Sequence, residues 1–516
     1  MWVSDADRSE RTERGAVLPL MAIVLVVLLG TAAMAVDLGW LLWQSIEIQH
    51  GADAAALAGV VYEPDLRTEA HTEAAASAIT NGYDDLLPST TVSVIDSIDD
   101  NTAVDHDGQL RVTITHRVDT FFLKIFGLND MAIARTAVAE YVQPLAMGSP
   151  ESYFGNDPEL GNDPGFWGNI HGYYTGRSLG DRYASQCLET WQGPSCTPNP
   201  EVRVSLNAGT IDASGGYLYG VEVEPGATGL TVEIFDGPFT AGGNDPYFTG
   251  DKGRLGCGKN NLVICPVTYF MLYGPDPTPL DTRDGNELLC VVRYDPRLPY
   301  FVNQTDTWAE VDATYPGGLA ALWDSMCPGG LDRGPGVYPL RVMVEAGDTQ
   351  GLNRWSLRTS ASGPQPRIYG LGDMAIYANV DGTAGDTEFF LAEVAQVHAG
   401  RTLVIELWDA GDASGDHSVS ILDPDRNVPP CDWSATTGDS GSPAFCDIDT
   451  SKPGGGAKFN DHLVTIRIAI PPDYTCGDDG DSDDCWWKIH YNYSGVTIDT
   501  TTWSARIEGN PIRIVE

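Results

Sequence analysis

The hydrophobic pattern changes period along the chain. Residues Ala16 to Val36 form an apolar run without a charge, which at about 1.5 Å per helical residue is enough to cross a hydrocarbon core of about 30 Å. Helix-compatible sequence continues beyond it. Leu38, Leu42, Ile46, Gln49, Asp53 and Leu57 recur at helical spacing among Ala52, Ala54, Ala55, Ala56, Ala58 and Gly59. Small residues let another backbone approach closely, either from the chain's own globular part or from a second copy. A further helix is expected from about Leu66 to Asn81. The period then falls to two: Val92 and Val94, then Leu110, Val112 and Ile114, predict two strands with one apolar face each. The long helix together with Phe121, Phe122, Ile125 and Phe126 is expected to cover those faces, and this unit ends near Gln143.

A turn-rich linker follows, and then an internal echo. YLYGVEVEPGATGLTVEIFD at Tyr217 to Asp236 is answered by FFLAEVAQVHAGRTLVIELWD at Phe389 to Asp409, and RWSLR at Arg354 to Arg358 by TWSAR at Thr502 to Arg506. Each copy reads as a strand, a glycine-containing turn and a second alternating strand. Two copies of one β unit are the economical reading. With 57 Gly and 33 Pro in 516 residues, many short strands joined by turns are expected.

Charge and cysteine placement give the apolar run a direction. Arg8, Arg11 and Arg14 precede it, and no Lys or Arg occurs from Ala16 to Leu66. Basic residues flank the cytoplasmic side, so the N-terminus is expected inside, with Trp40 and Trp43 at the outer interface. A permanent anchor explains the run better than a cleaved signal, since it exceeds the usual apolar region of a signal peptide. All ten cysteines (Cys187, Cys196, Cys257, Cys265, Cys290, Cys327, Cys431, Cys446, Cys476 and Cys485) lie far beyond it. This is the placement expected if only the distal body meets an oxidising compartment. Neighbours in sequence could pair as 187/196, 257/265, 290/327, 431/446 and 476/485, although spacing leaves connectivity open. The formal net charge of -42 disfavours nucleic acid as a partner.

The N-terminal residues carry a family resemblance. Gly15, Asp37, Gly39, Gln49, Asp53, Ala54, Ala55, Leu57, Ala58 and Gly59, set in RG, AVDLG and QHGADAAALAGV, resemble the N-terminal module of TadE/TadG-like proteins of Flp (tight adherence) pilus assembly. The resemblance implies a bacterial envelope protein linked to an Flp-type pilus. Two departures qualify it. Pilin-like members are processed after a glycine followed at the fifth position by glutamate, and Leu20 stands there after Gly15. Larger members carry a von Willebrand type A domain with an Asp-x-Ser-x-Ser metal site; here that pattern occurs only as DHSVS at Asp416 to Ser420, within the second repeated β unit, and a different head is expected.

The expected architecture is therefore mostly β. It comprises a cytoplasmic tail at 1–15, a transmembrane helix with its extracytoplasmic extension at 16–62, and a small pilin-like α+β unit at 63–145. Two tandem β-sandwich (jelly-roll-like) units follow at 146–360 and 361–516.

Candidate chemistry is sparse. GDSGSP at Gly438 to Pro443 resembles the nucleophile loop of trypsin-like proteases, yet no TAAHC-like box supplies a base, and Asp, Ser, Gly and Pro are ordinary turn formers. Asp479, Asp481 and Asp483 in CGDDGDSDDC are spaced like the start of a calcium loop but lack its sixth-position Gly and twelfth-position Glu. Asp409, Asp412 and Asp416 form a second acidic set. Phe166, Trp167, Tyr173, Tyr174, Trp486 and Trp487 could stack on sugars or fill a core. The leading expectation is a non-enzymatic, anchored envelope protein that contacts membrane lipid and pilus or envelope proteins and requires no cofactor, calcium being an option. The alternative is an extracytoplasmic carbohydrate-binding or adhesive protein unrelated to pili.

Overall fold

The structure is a computed structural model that describes residues 17–62, 67–96, 109–141, 144–157, 165–173, 175–184, 199, 201, 205–206, 215–236, 265–276, 279, 286–295, 324–325, 331–347, 349, 351–380, 387–413, 415–452, 456–476, 485–493, 497–508 and 512–515. The chain divides into two compact units, residues 1–143 with 510–516, and residues 144–509.

In the small unit, helix α1 (Val17–Val60) is continuous from the apolar run into the alanine-rich stretch. It is the one helix among the described residues long and apolar enough to cross a membrane. Its N-terminal half exposes Leu20, Ile23, Val26 and Leu29, which fits a single-pass anchor rather than the core of a globular domain. Its C-terminal half packs with α2 (Arg67–Thr80) on a sheet of β1 (Thr90–Ile95), β2 (Gln109–Asp119) and β3 (Asp130–Tyr141). Ala52, Ala55, Ala56, Ala70, Ala74, Leu110, Val112 and Ile114 are buried together. The small residues of α1 thus serve their own domain.

The body contributes, in chain order, β4 (Ala146–Met147), β5 (Tyr153–Phe154), β6 (Phe166–His171), β7 (Ser205–Leu206), β8 (Tyr217–Val223), β9 (Thr228–Asp236), β10 (Thr268–Tyr273), β11 (Leu288–Tyr294) and β12 (Asp324–Ser325). There follow β13 (Gly336–Glu345), β14 (Leu352–Ser362), β15 (Arg367–Leu371), β16 (Asp373–Val380), β17 (Thr387–Glu393), β18 (Thr402–Trp408) and β19 (His417–Leu422). The last are β20 (Asp432–Ala435), β21 (Ser440–Gly441), β22 (Asp447–Asp449), β23 (Leu463–Ala469), β24 (Trp486–Tyr493) and β25 (Thr497–Ile507). A final strand, β26 (Ile512–Ile514), returns to the small unit and pairs antiparallel with β3. There Arg513 meets the buried Glu140 at 2.6 Å. The small unit therefore does not close at Gln143, because the body is inserted between two of its strands.

The internal echo is structural. β9 pairs with β14 and β18 with β25. In both pairs the tryptophan, Trp355 or Trp503, is buried. Both also carry an arginine–glutamate pair, Arg358 to Glu233 at 2.9 Å and Arg506 to Glu406 at 3.5 Å. The registers differ: Trp355 lies opposite Asp236, whereas Trp503 lies opposite Leu407, the counterpart of Ile234. A shift of two residues keeps every side chain on its own face, so the echo survives it.

The two copies do not form separate sandwiches divided at 360/361. Among the described residues they share two eleven-stranded sheets, one running β11-β10-β13-β8-β15-β4-β17-β24-β19-β22 with β7 beside β13, and the other β12-β9-β14-β6-β16-β25-β18-β23-β20-β21 with β5 beside β14. At the centre of the first sheet, β15 opens the second copy but pairs with β8 of the first. Conversely, β4 opens the first copy and pairs with β17 of the second. Each copy's leading strand completes the other's sheet. In the second sheet β6 pairs with β16 across the same centre. Here Gly168 is required, since a Cβ would come within 2.7 Å of the Trp355 ring. The ring packs among Phe154, Tyr219 and Phe270.

Candidate membrane-proximal site

The family-like residues of the N-terminal stretch are mostly latches that build the small unit. Asp37 is the first residue after the apolar run, and its side chain is buried. One carboxylate oxygen accepts the Phe121 N–H at 2.9 Å, and the other accepts those of Phe122 at 2.9 Å and Leu123 at 2.6 Å. These are the free amides that begin the 3-10 turn Leu123–Phe126. A carboxylate on successive amides makes charge-assisted bonds that fix the loop to α1. Trp40 reinforces the contact, with its ring centroid 5.5 Å from Phe121 and 5.0 Å from Trp43.

Further along α1, the Gln49 amide donates to Asp53 at 2.7 Å and to the Thr136 carbonyl at 3.0 Å, tying the helix to β3. Ser45 accepts from Arg135 of the same strand. Gly59 faces α2, where a Cβ would lie 2.6 Å from the Ala70 carbonyl oxygen. Ala55 is buried, while Ala54, Leu57 and Ala58 are half-buried. Gly39 faces open space, and no contact in the structure accounts for its glycine. Gly15 lies outside the described residues.

One expectation about this region is overturned. Phe121, Phe122, Ile125 and Phe126 do not cover the sheet. They are 48%, 43%, 77% and 75% exposed, because the Asp37 contacts hold the loop at the end of the hairpin rather than across its face. Sequence alone missed this, although an apolar cluster in a hairpin loop was a usable signal.

In the body, the aromatic set fills the core and forms no sugar platform. Phe166, Trp167, Trp486 and Trp487 are fully buried core residues with no face free for a sugar, and Tyr173 is half-buried. Tyr174 lies outside the described residues. Ser440 of GDSGSP sits exposed on a hairpin opposite Ser434, with Gly438 at φ 95° in the turn. Its neighbours Thr437 and Asp439 bond to each other at 2.9 Å, which is turn chemistry.

The acidic set at Asp409 does not converge on a common point. Asp409 accepts from Asn460 at 2.9 Å and from the Asp461 N–H, and Asp416 lies exposed. The N–H groups of Gly411 and Asp412 turn instead to Asp499, at 3.1 and 3.0 Å. Burial, with smaller repulsion from neighbouring carboxylates, pushes Asp409 up to about 9 and Asp499 to about 7. Among the described residues no group of three or more His, Cys, Asp or Glu is arranged to hold a metal ion. Asp479, Asp481 and Asp483 lie outside the described residues. Of the cysteines, Cys431 pairs with Cys446 and Cys476 with Cys485, and Cys265 and Cys290 are also disulfide-bonded. Cys187, Cys196, Cys257 and Cys327 lie outside the described residues.

Residues 15–76 match the family model described as a putative Flp pilus-assembly TadE/G-like domain. That match covers α1 and most of α2, the two helices that meet at Gly59. No curated protein and no solved structure matches the chain.

Proposed function

Proceeding from a TadE/G-like module at residues 15–76, we propose that the protein is a membrane-anchored, extracytoplasmic and non-enzymatic component of Flp/Tad-type pilus assembly or pilus-linked adhesion. The observation that carries this reading is the match together with Asp37, Gln49, Asp53 and Gly59, which build the matched unit in the structure. Support for the anchor comes from the exposed apolar half of α1. Support for export comes from the arginines before that run and the disulfides in the body. The body then serves as a projecting β structure that contacts pilus or envelope proteins.

Deleting the gene in a piliated host is expected to abolish or sharply reduce surface Flp pili, with restoration by the intact gene. Unchanged piliation would overturn the pilus role. Orientation is tested separately with C-terminal reporters. An active alkaline phosphatase fusion and a dark fluorescent-protein fusion are expected, and the reverse pair would place the body in the cytoplasm.

A further inference from the structure

The loop from Phe121 to Leu128 displays its apolar side chains to the outside: Ile125, Phe126 and Leu128 are each more than half exposed, and Phe121 and Phe122 nearly so. Exposed apolar patches of this kind mark a contact surface. The loop's position says which contact. Its backbone hangs on Asp37, the residue directly after the apolar run of α1, at 2.6 to 2.9 Å. It therefore sits at the level where α1 leaves the hydrocarbon, beside the interfacial Trp40 and Trp43. Leu86 is also exposed on the segment that reaches Ser89, whose carbonyl accepts the Arg117 N–H near the same end of the sheet.

The loop's polar groups suit an apolar medium. Phe121, Phe122 and Leu123 give their N–H groups to Asp37; Ile125 donates to Phe122, Gly127 to Lys124 and Leu128 to Leu123. Thr120 turns its hydroxyl onto the Leu128 carbonyl at 2.5 Å. A backbone satisfied internally loses little when water is withdrawn. Lys124 is the single charged residue from Phe121 to Leu128, and its long stem can reach a lipid phosphate while its neighbours rest among acyl chains. A chain with net charge -42 thus presents a cationic, apolar loop where anionic headgroups lie.

We propose that this loop is a second membrane contact, inserted at the headgroup boundary of the leaflet from which α1 emerges, so that the small unit is held to the bilayer at two points. The proposal rests on α1 being the membrane anchor. It is tested on the full chain reconstituted in phosphatidylethanolamine/phosphatidylglycerol vesicles. An environment-sensitive fluorophore is placed at Ile125→Cys, or at Val27→Cys as the anchor control, and quenched by lipids spin-labelled at shallow or deep positions. Emission from position 125 is expected to shift to the blue relative to detergent and to be quenched mainly by shallow labels. Emission from position 27 is expected to be quenched mainly by deep ones. Adding Asp37→Ala to the 125-labelled protein is expected to reduce the shallow quenching while leaving position 27 unchanged. Quenching at 27 with none at 125 overturns the loop proposal and leaves the anchor standing, as does a blue shift at 125 without lipid quenching, the sign of a protein partner covering the loop. No quenching at 27 overturns the anchor and the loop together.

Discussion

Asp37 stands where a polar residue is costly, at the edge of an apolar helix, and three backbone amides repay its burial. Replacing it with alanine is expected to leave α1 intact and to speed amide exchange at Phe121, Phe122 and Leu123, measured by hydrogen–deuterium exchange in detergent micelles. Gly59 acts by absence. Gly59→Val would press on the Ala70 carbonyl and force α2 away from α1, at a cost of about 1–3 kcal/mol, and should lower the thermal midpoint of the small unit. Asp409 and Asp499 give the body a pH dependence. Both carboxyls are raised in the folded state, to about 9 and about 7, so their stabilising contribution is complete below the ordinary carboxylate pKa of about 4 and is lost as pH climbs through those values. Urea denaturation should find the body less stable at pH 8 than at pH 5. Asp499→Asn, which keeps an acceptor for Gly411 and Asp412, should flatten the part of that slope below neutrality. The family-like residues were legible in sequence as a pattern. Their partners were not, because Asp37 and Phe121 meet only after a hairpin has folded back.

Among the elements, those with a strong local period were the most legible. The helix expected at Leu66 to Asn81 is α2, and the strands expected around Val92 and Ile114 are β1 and β2. β26 was not legible. Three residues at the chain's end carry no period of their own, and only the open edge of β3 and the buried Glu140 give them a place. Removing residues 510–516 should therefore leave Glu140 without Arg513 and expose the edge of β3. Limited proteolysis is expected to cut within Asp130–Tyr141 in the truncated chain sooner than in the intact one, and equal resistance would show that β26 contributes little. The Phe121–Phe126 loop shows the opposite failure. Its apolar residues pointed to a core, but apolar composition does not distinguish a core from an exposed contact surface.

For the molecule as a whole, the echo in the sequence marked two copies, and the structure joins them. Because β4 and β15 each complete the other copy's sheet, a body cut in the turn between Ser362 and Arg367 should give halves that aggregate when expressed alone and co-purify as a pair when expressed together. A monomeric, cooperatively unfolding half, seen by size exclusion and thermal melting, would contradict that. The sequence by itself determined the long apolar helix, the mostly β character of the body, its duplication and the TadE/G-like stretch, since each is written in local period, composition or adjacent residues. Tertiary structure decided which strand pairs with which, where the chain's end is placed, and which apolar residues remain outside. Strand edges are alike in their hydrogen-bonding groups, so a short strand's partner is set by what lies beside it in space. An apolar side chain's burial is likewise set by where its loop is pinned, here by Asp37.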